Sequence, residues 1–182
     1  MPLRVLPVTL KDAVPWVRST HRRLPKVVGA LWAVQVQRDG RRVGVALVGI
    51  PKARLAMGAP GSRAEHLEVS RVAVLAGDAS ASGQKGACSM LYAACSRAVR
   101  AMGGGSLRTY THGDEHGRSL IAAGWVAVGE TGGGEWDRDE RQRSLAVDPT
   151  PKRLWMAPWC APTSARSGPA SGGGDHVKEG ID

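Results

Sequence analysis

Apolar positions along the chain follow two periods, and the changes between them mark alternating strands and helices. Short apolar runs at residues 3–8, 31–37 and 43–50 read as strands. The last two flank Arg38-Asp39-Gly40, and Asp-Gly between apolar runs predicts a tight hairpin. Thr9, followed three residues later by Asp12, has the form of a helix start. Pro15 falls in the first turns, and Leu24-Pro25 predicts the end, because the residue before proline avoids helical angles. Residues 67–75 alternate at first, with Leu67, Val69 and Arg71 on one side and Glu68, Ser70 and Val72 on the other. They then become apolar throughout, as in a strand covered on both faces.

After a Gly-, Ala- and Ser-rich stretch the period changes. Ala87, Met90, Leu91, Ala94, Cys95, Ala98, Val99 and Met102 recur at spacings of three and four, which predicts one apolar helix face ended by Gly103-Gly104-Gly105. A strand at 107–111, a short helix at 118–123 closed by Gly124, a strand from 125 to 129 and a last strand at 152–156 complete the pattern. Gly132-Gly133-Gly134 reads as a turn or loop. A single domain over 1–159 is expected, with 160–182, rich in Ser, Gly and Pro, as a disordered tail.

Composition narrows the class. The 182 residues include six Trp, two Tyr and no Phe, so the core is expected to be aliphatic. No run of about 18 apolar residues occurs, and the first residues lack the apolar stretch of a signal peptide. Three Cys without a CxxC pair favour a reduced, cytoplasmic protein over a disulfide scaffold. The formal net charge is +9, and the final 23 residues are slightly acidic, so the excess lies in the domain. That balance favours polyanionic partners, nucleic acid or a phosphate-bearing cofactor.

The stretch Gly83-Gln84-Lys85-Gly86-Ala87-Cys88-Ser89 joins a strand to a helix start, where unpaired N–H groups and the helix dipole favour phosphate. It is neither a P-loop nor a dinucleotide fingerprint. Taken with Gly117 to Gly124-Trp125, a short helix ending in a Gly-aromatic pair, and with the order of elements, it resembles the GNAT acyltransferases. The resemblance implies an α/β chain of α+β layout, a mixed, largely antiparallel sheet flanked by helices. It also implies acetyl-CoA or another acyl-CoA as cofactor. Val72, Val74, Gln84, Lys85, Gly86, Ala87, Cys88 and Ser89 would then be the cofactor-binding residues, beside a strand splayed over 71–75.

Members of that family often carry a tyrosine acid four residues before the glycine; Leu120 stands there, and Tyr110 is the alternative phenol. Glu68 and Glu115 are the candidate bases. Leu67 to Arg71, Ala87 to Tyr92 and Thr109 to Thr111 are further similar to phage and bacterial proteins related to Mom-type DNA modification, which alters adenine. That narrower resemblance implies double-stranded DNA as partner. It turns Glu68, Ser70, Arg71 and Ser89 towards the reaction cleft, with Arg71 as an anion-holding fork. A small-molecule or protein N-acetyltransferase, and a non-catalytic basic nucleic-acid-binding module on the same fold, stay open as alternatives.

Three other features bear on chemistry. His112 and His116 stand four apart, but Gly113 argues for a loop, HExxH is absent, and a third ligand such as His21 or Asp137 would be needed, so no metal site is assigned. Cys88, at a helix start, is a candidate for a lowered thiol pKa. Trp136 and Trp155, beside basic residues, are candidates for stacking on bases, against a core role for most of the tryptophans.

Overall fold

A computed structural model describes residues 2–21, 27–51, 65–76, 85–131 and 151–166. Strand β1 (Arg4–Val8) leads into helix α1 (Leu10–Thr20). The Thr9 hydroxyl oxygen accepts from the Asp12 amide at 3.2 Å, which satisfies one of the donors a helix start leaves open. Pro15 lies inside α1, and the helix ends at Thr20, earlier than Leu24-Pro25 predicts.

Strands β2 (Ala30–Arg38) and β3 (Arg41–Gly49) form the expected hairpin. Asp39 and Gly40 both take positive φ, 51° and 75°, the pair of angles that a tight two-residue hairpin turn requires. Then come β4 (His66–Val74), α2 (Ala87–Ala101), β5 (Ser106–His112), α3 (Arg118–Ala122), β6 (Val126–Thr131) and β7 (Lys152–Met156). The strands make one seven-stranded sheet in the order β1-β2-β3-β4-β5-β7-β6. Every pair is antiparallel except β4 with β5. The last strand is thus inserted between β5 and β6, a placement that local patterning does not encode.

Each face of the sheet has its own core. Under α1 lie Ala13, Val17, Ala33, Val45, Leu47 and Ala73. The larger core, under α2 and α3, gathers Val48, Leu67, Val69, Leu91, Val99, Leu107, Leu120, Trp125 and Trp155. The scarcity of aromatics is met by placing Trp125 and Trp155 at its centre, so Trp155 is a core residue and not a surface stacking platform.

Residues 160–166, assigned to the tail by composition, belong to the fold. Ala161 is buried, the Leu107 amide donates to Cys160 Sγ at 3.4 Å, and Thr163–Arg166 forms a short helix, α4. Small and polar residues there pack because the preceding strand delivers them to the core edge. Residues 167–182, Gly132-Gly133-Gly134 and Trp136 lie outside the described residues. No helix among the described residues is long and apolar enough to cross a membrane.

Candidate active site

The central feature is a fork between β4 and β5. The two strands pair only at His66↔Ser106, Leu67↔Leu107 and Glu68↔Arg108. Beyond that point β5 continues, paired to β7, and β4 continues, paired to β3, but the two no longer pair with each other. Part of β4 therefore presents an edge towards β5 inside the sheet, where a ladder partner is normally found.

A bulge sets what faces the fork. Leu47 pairs with Arg71 and Val48 with Val69, so Ser70 is an extra residue on β4. The bulge resets the alternation. Leu67 and Val69 join the core under α2, as simple alternation predicts, but so do Val72 and Val74, while Ala73 joins the α1 side. Simple alternation puts Arg71 with Leu67 and Val69, and Glu68 with Val72. The one-residue insertion corrects both: Arg71 shares a face with Glu68, and Val72 and Val74 line the other. The Ser70 hydroxyl donates to the Leu47 carbonyl at 3.4 Å, across the irregularity. Ser70 thus shapes the bulge.

Glu68 is buried at the last paired position of the fork. Partial burial lowers the Arg71 pKa below its ordinary value, and the Glu68 carboxylate opposes that shift. Arg71 also donates to the Ser70 carbonyl. Half-buried Tyr110, two residues along from Glu68's partner, has its phenol pKa raised by burial and then by Glu68; Arg108 acts the other way through charge and a hydrogen bond. Glu68, Arg71, Arg108 and Tyr110 therefore form one interacting polar group on the fork.

On the α2 side the fork is braced by a residue that sequence reasoning missed. Tyr92, buried on α2, shares a hydrogen bond with the Thr109 side chain, and the Thr109 hydroxyl donates to the Val69 carbonyl at 2.8 Å. Burial, with smaller contributions from Cys88, Glu115 and Cys95, raises the Tyr92 phenol well above its ordinary pKa. Trp125 meets the Tyr92 ring edge-on, with centroids 5.5 Å apart at 65°. The signal for Tyr92 was spacing: it stands four residues after Cys88, on the same helix face.

The start of α2 packs on the same face of the sheet as Val72 and Val74. Gly86 caps it at φ 88°, with no side-chain cap. Lys85 and Gly86 are exposed, Ala87 is buried, and the Ser89 hydroxyl donates back to the Gly86 carbonyl at 2.9 Å. Gln84 lies outside the described residues. Burial raises the Cys88 thiol pKa, against the lowering that its place at a helix start predicts; a hydrogen bond from Ser119 opposes the shift and Glu115 adds to it. Cys95, fully buried, is pushed up to about 12. Both shifts run against thiolate formation.

Leu120 is buried under α3 and fills the core. Gly117 opens that helix at φ 63°, and a Cβ there would overlap the Trp155 ring, so only glycine lets α3 sit this close to β7. Glu115 is engaged with its own turn, accepting from the His112 amide at 3.2 Å. His112 is buried and His116 exposed, and Asp137 lies outside the described residues. Among the described residues no three His, Cys, Asp or Glu side chains converge to hold a metal ion.

No protein-family model matches the chain, and no curated protein matches it in sequence. Solved structures do match its fold. An IAA acetyltransferase from Bacillus cereus superposes with a TM-score of 0.54 at 9% identity, over 85% of this chain and 98% of that one. The ribosomal-protein-S18-alanine N-acetyltransferase from Escherichia coli gives 0.52 at 9%, over 85% and 92%. A Bacillus subtilis acetyltransferase in complex with CoA gives 0.54 at 11%, over 85% and 97%. The chain has the fold of the GNAT acetyltransferases: a largely antiparallel seven-stranded sheet flanked by helices.

Proposed function

We propose that the chain is an acyl-coenzyme A-dependent N-acyltransferase. The observation that carries this reading is the fork: β4 and β5 part immediately after Glu68↔Arg108, with a buried carboxylate at the junction. The residues present fit the cofactor. Beyond the junction β4 has a backbone edge with no described strand beside it in register, which suits an extended arm carrying amide groups. The uncapped start of α2, preceded by exposed Lys85, suits a pyrophosphate. Val72 and Val74 would flank the arm, and Gly86, Ala87, Cys88 and Ser89 would lie under the phosphates. When bound, acyl-CoA supplies the acyl group as an activated thioester.

The protein's own residues handle protons and position. The Glu68 carboxylate accepts the proton of the acceptor amine, directly or through one water. The Tyr110 phenol, its pKa raised by burial and by Glu68, is the proton donor in place of the tyrosine that Leu120 replaces. Arg71, on the same face as Glu68, orients it and holds anionic parts of the acceptor. Tyr92 and Thr109 keep the fork at its width by fixing the Val69 carbonyl.

For the acceptor, the finer reading is an amine of a DNA base. It is supported by the net charge of +9 and by the sequence resemblance to Mom-type proteins. The experiment is a thiol-release assay with acetyl-CoA and a panel of amines, accompanied by mass spectrometry of nucleosides from exposed DNA. Acceptor-dependent thiol release is expected, with an acylated adenine nucleoside in the digest. Release with free amines and unmodified DNA would assign the acceptor to small molecules or proteins. No release with any acceptor would contradict acyl transfer.

A further inference from the structure

A second feature lies away from the fork, on the outward face of α2. An open groove of about 530 Å³ runs between the second half of α2, the end of α3 and the segment after β7. Trp159 forms one wall, held in place by its indole N–H, which donates to Ser96 Oγ at 3.1 Å. Ala93 and Ala123 are small enough to leave the groove open, and exposed Arg97 and Arg100 line it. No acidic residue is among its lining residues, and neither arginine makes an ion pair with a described residue.

Two guanidinium groups at a helical spacing of three are neighbours on the helix surface, with Cβ atoms about 5–6 Å apart, and neither is neutralised by a described carboxylate. That separation is comparable with the step between successive phosphates of one strand. Guanidinium forks match phosphate oxygens in pairs. An open trough suits a polymer that enters and leaves, and the chain's charge excess favours a polyanion over a single small anion. We propose that this groove binds a nucleic-acid strand through its backbone phosphates, with Arg97 and Arg100 as the contacts and Trp159 as the wall. The proposal stands on the groove alone and does not depend on acyl transfer.

The test is fluorescence anisotropy of a labelled DNA duplex with the full chain across a range of salt concentrations. The variants are R97A/R100A, R97K/R100K and a control, K11A/R41A, which removes two exposed charges elsewhere. R97A/R100A is expected to weaken binding at least tenfold. It should also flatten the slope of log affinity against log salt by about 1.8, at ~0.9 for each phosphate left without its guanidinium. R97K/R100K keeps the charges and should retain most of the slope; K11A/R41A should change affinity only a few-fold. Acetyl-CoA titration of R97A/R100A is expected to match wild type, which separates this groove from the fork.

The proposal is overturned if the wild-type chain shows no salt-dependent DNA binding. It is equally overturned if R97A/R100A and K11A/R41A lose affinity alike. Binding of a polyglutamate peptide as tight as that of DNA, abolished in the same variant, would assign the groove to acidic protein segments instead.

Discussion

Glu68→Gln is expected to lower the rate of acyl transfer by roughly 10²–10⁴-fold, the usual contribution of a positioned general base. Glutamine keeps the shape of the side chain and removes its capacity to accept the amine proton. Glu68 is buried at the last paired rung of the fork and interacts with Arg71 and Tyr110. The affinity for acetyl-CoA should stay near wild type, because the proposed cofactor contacts lie farther along β4 and at the start of α2. Steady-state kinetics with a parallel cofactor titration separate the two. A variant that keeps the wild-type rate would remove Glu68 from the chemistry and turn attention to Glu115, the other carboxylate at the helix side of the site.

Trp155→Ala is expected to destabilise the fold by about 3–5 kcal/mol, the range for emptying an aromatic site in a core. Trp155 is 3% exposed on β7, the strand inserted between β5 and β6. Its ring covers Gly117, where α3 begins, and its indole N–H donates to Thr111 Oγ1 at 3.0 Å. One side chain therefore ties β7, β5 and α3 together. Truncation leaves a cavity and a buried hydroxyl without its donor, and the two costs add. Urea denaturation measures it. A loss below about 1 kcal/mol would mean that the site collapses around the missing ring, contrary to the close approach at Gly117.

Much of the architecture was legible because local chemistry and tertiary packing agree. The run at 152–156 coincides with β7, and the apolar face at spacings of three and four coincides with α2. The Asp39-Gly40 hairpin follows from the ease with which those residues adopt positive φ. The Gly124-Trp125 pair closes α3 and buries its indole as expected. The features that escaped are those set by long-range pairing. Nothing near residues 152–156 says that this strand passes between β5 and β6. The bulge at Ser70 is an offset against β3, invisible within β4 itself, yet it decides which residues join Glu68.

The site was legible in part. Glu68, Arg71 and Tyr110 were named through the resemblance to GNAT and Mom-type proteins, and the structure brings them together with Arg108. Ser70 shapes the bulge, and the thiols of half-buried Cys88 and buried Cys95 are both pushed up by burial. Tyr92 escaped notice because a lone aromatic on an apolar helix face reads as core. It is core, and its phenol also reaches Thr109 at the fork.

The most direct test of the account is calorimetric titration of acetyl-CoA into the folded chain and into Lys85→Glu. Lys85 is exposed beside the uncapped start of α2, so the substitution leaves the core intact and places a carboxylate where a pyrophosphate is expected. The account predicts saturable one-to-one binding by wild type, weakened about tenfold in the variant, or roughly 1.4 kcal/mol. No heat of binding from the folded wild-type chain would contradict a cofactor site in the β4–β5 fork. Equal affinity in the variant would remove the pyrophosphate from the start of α2.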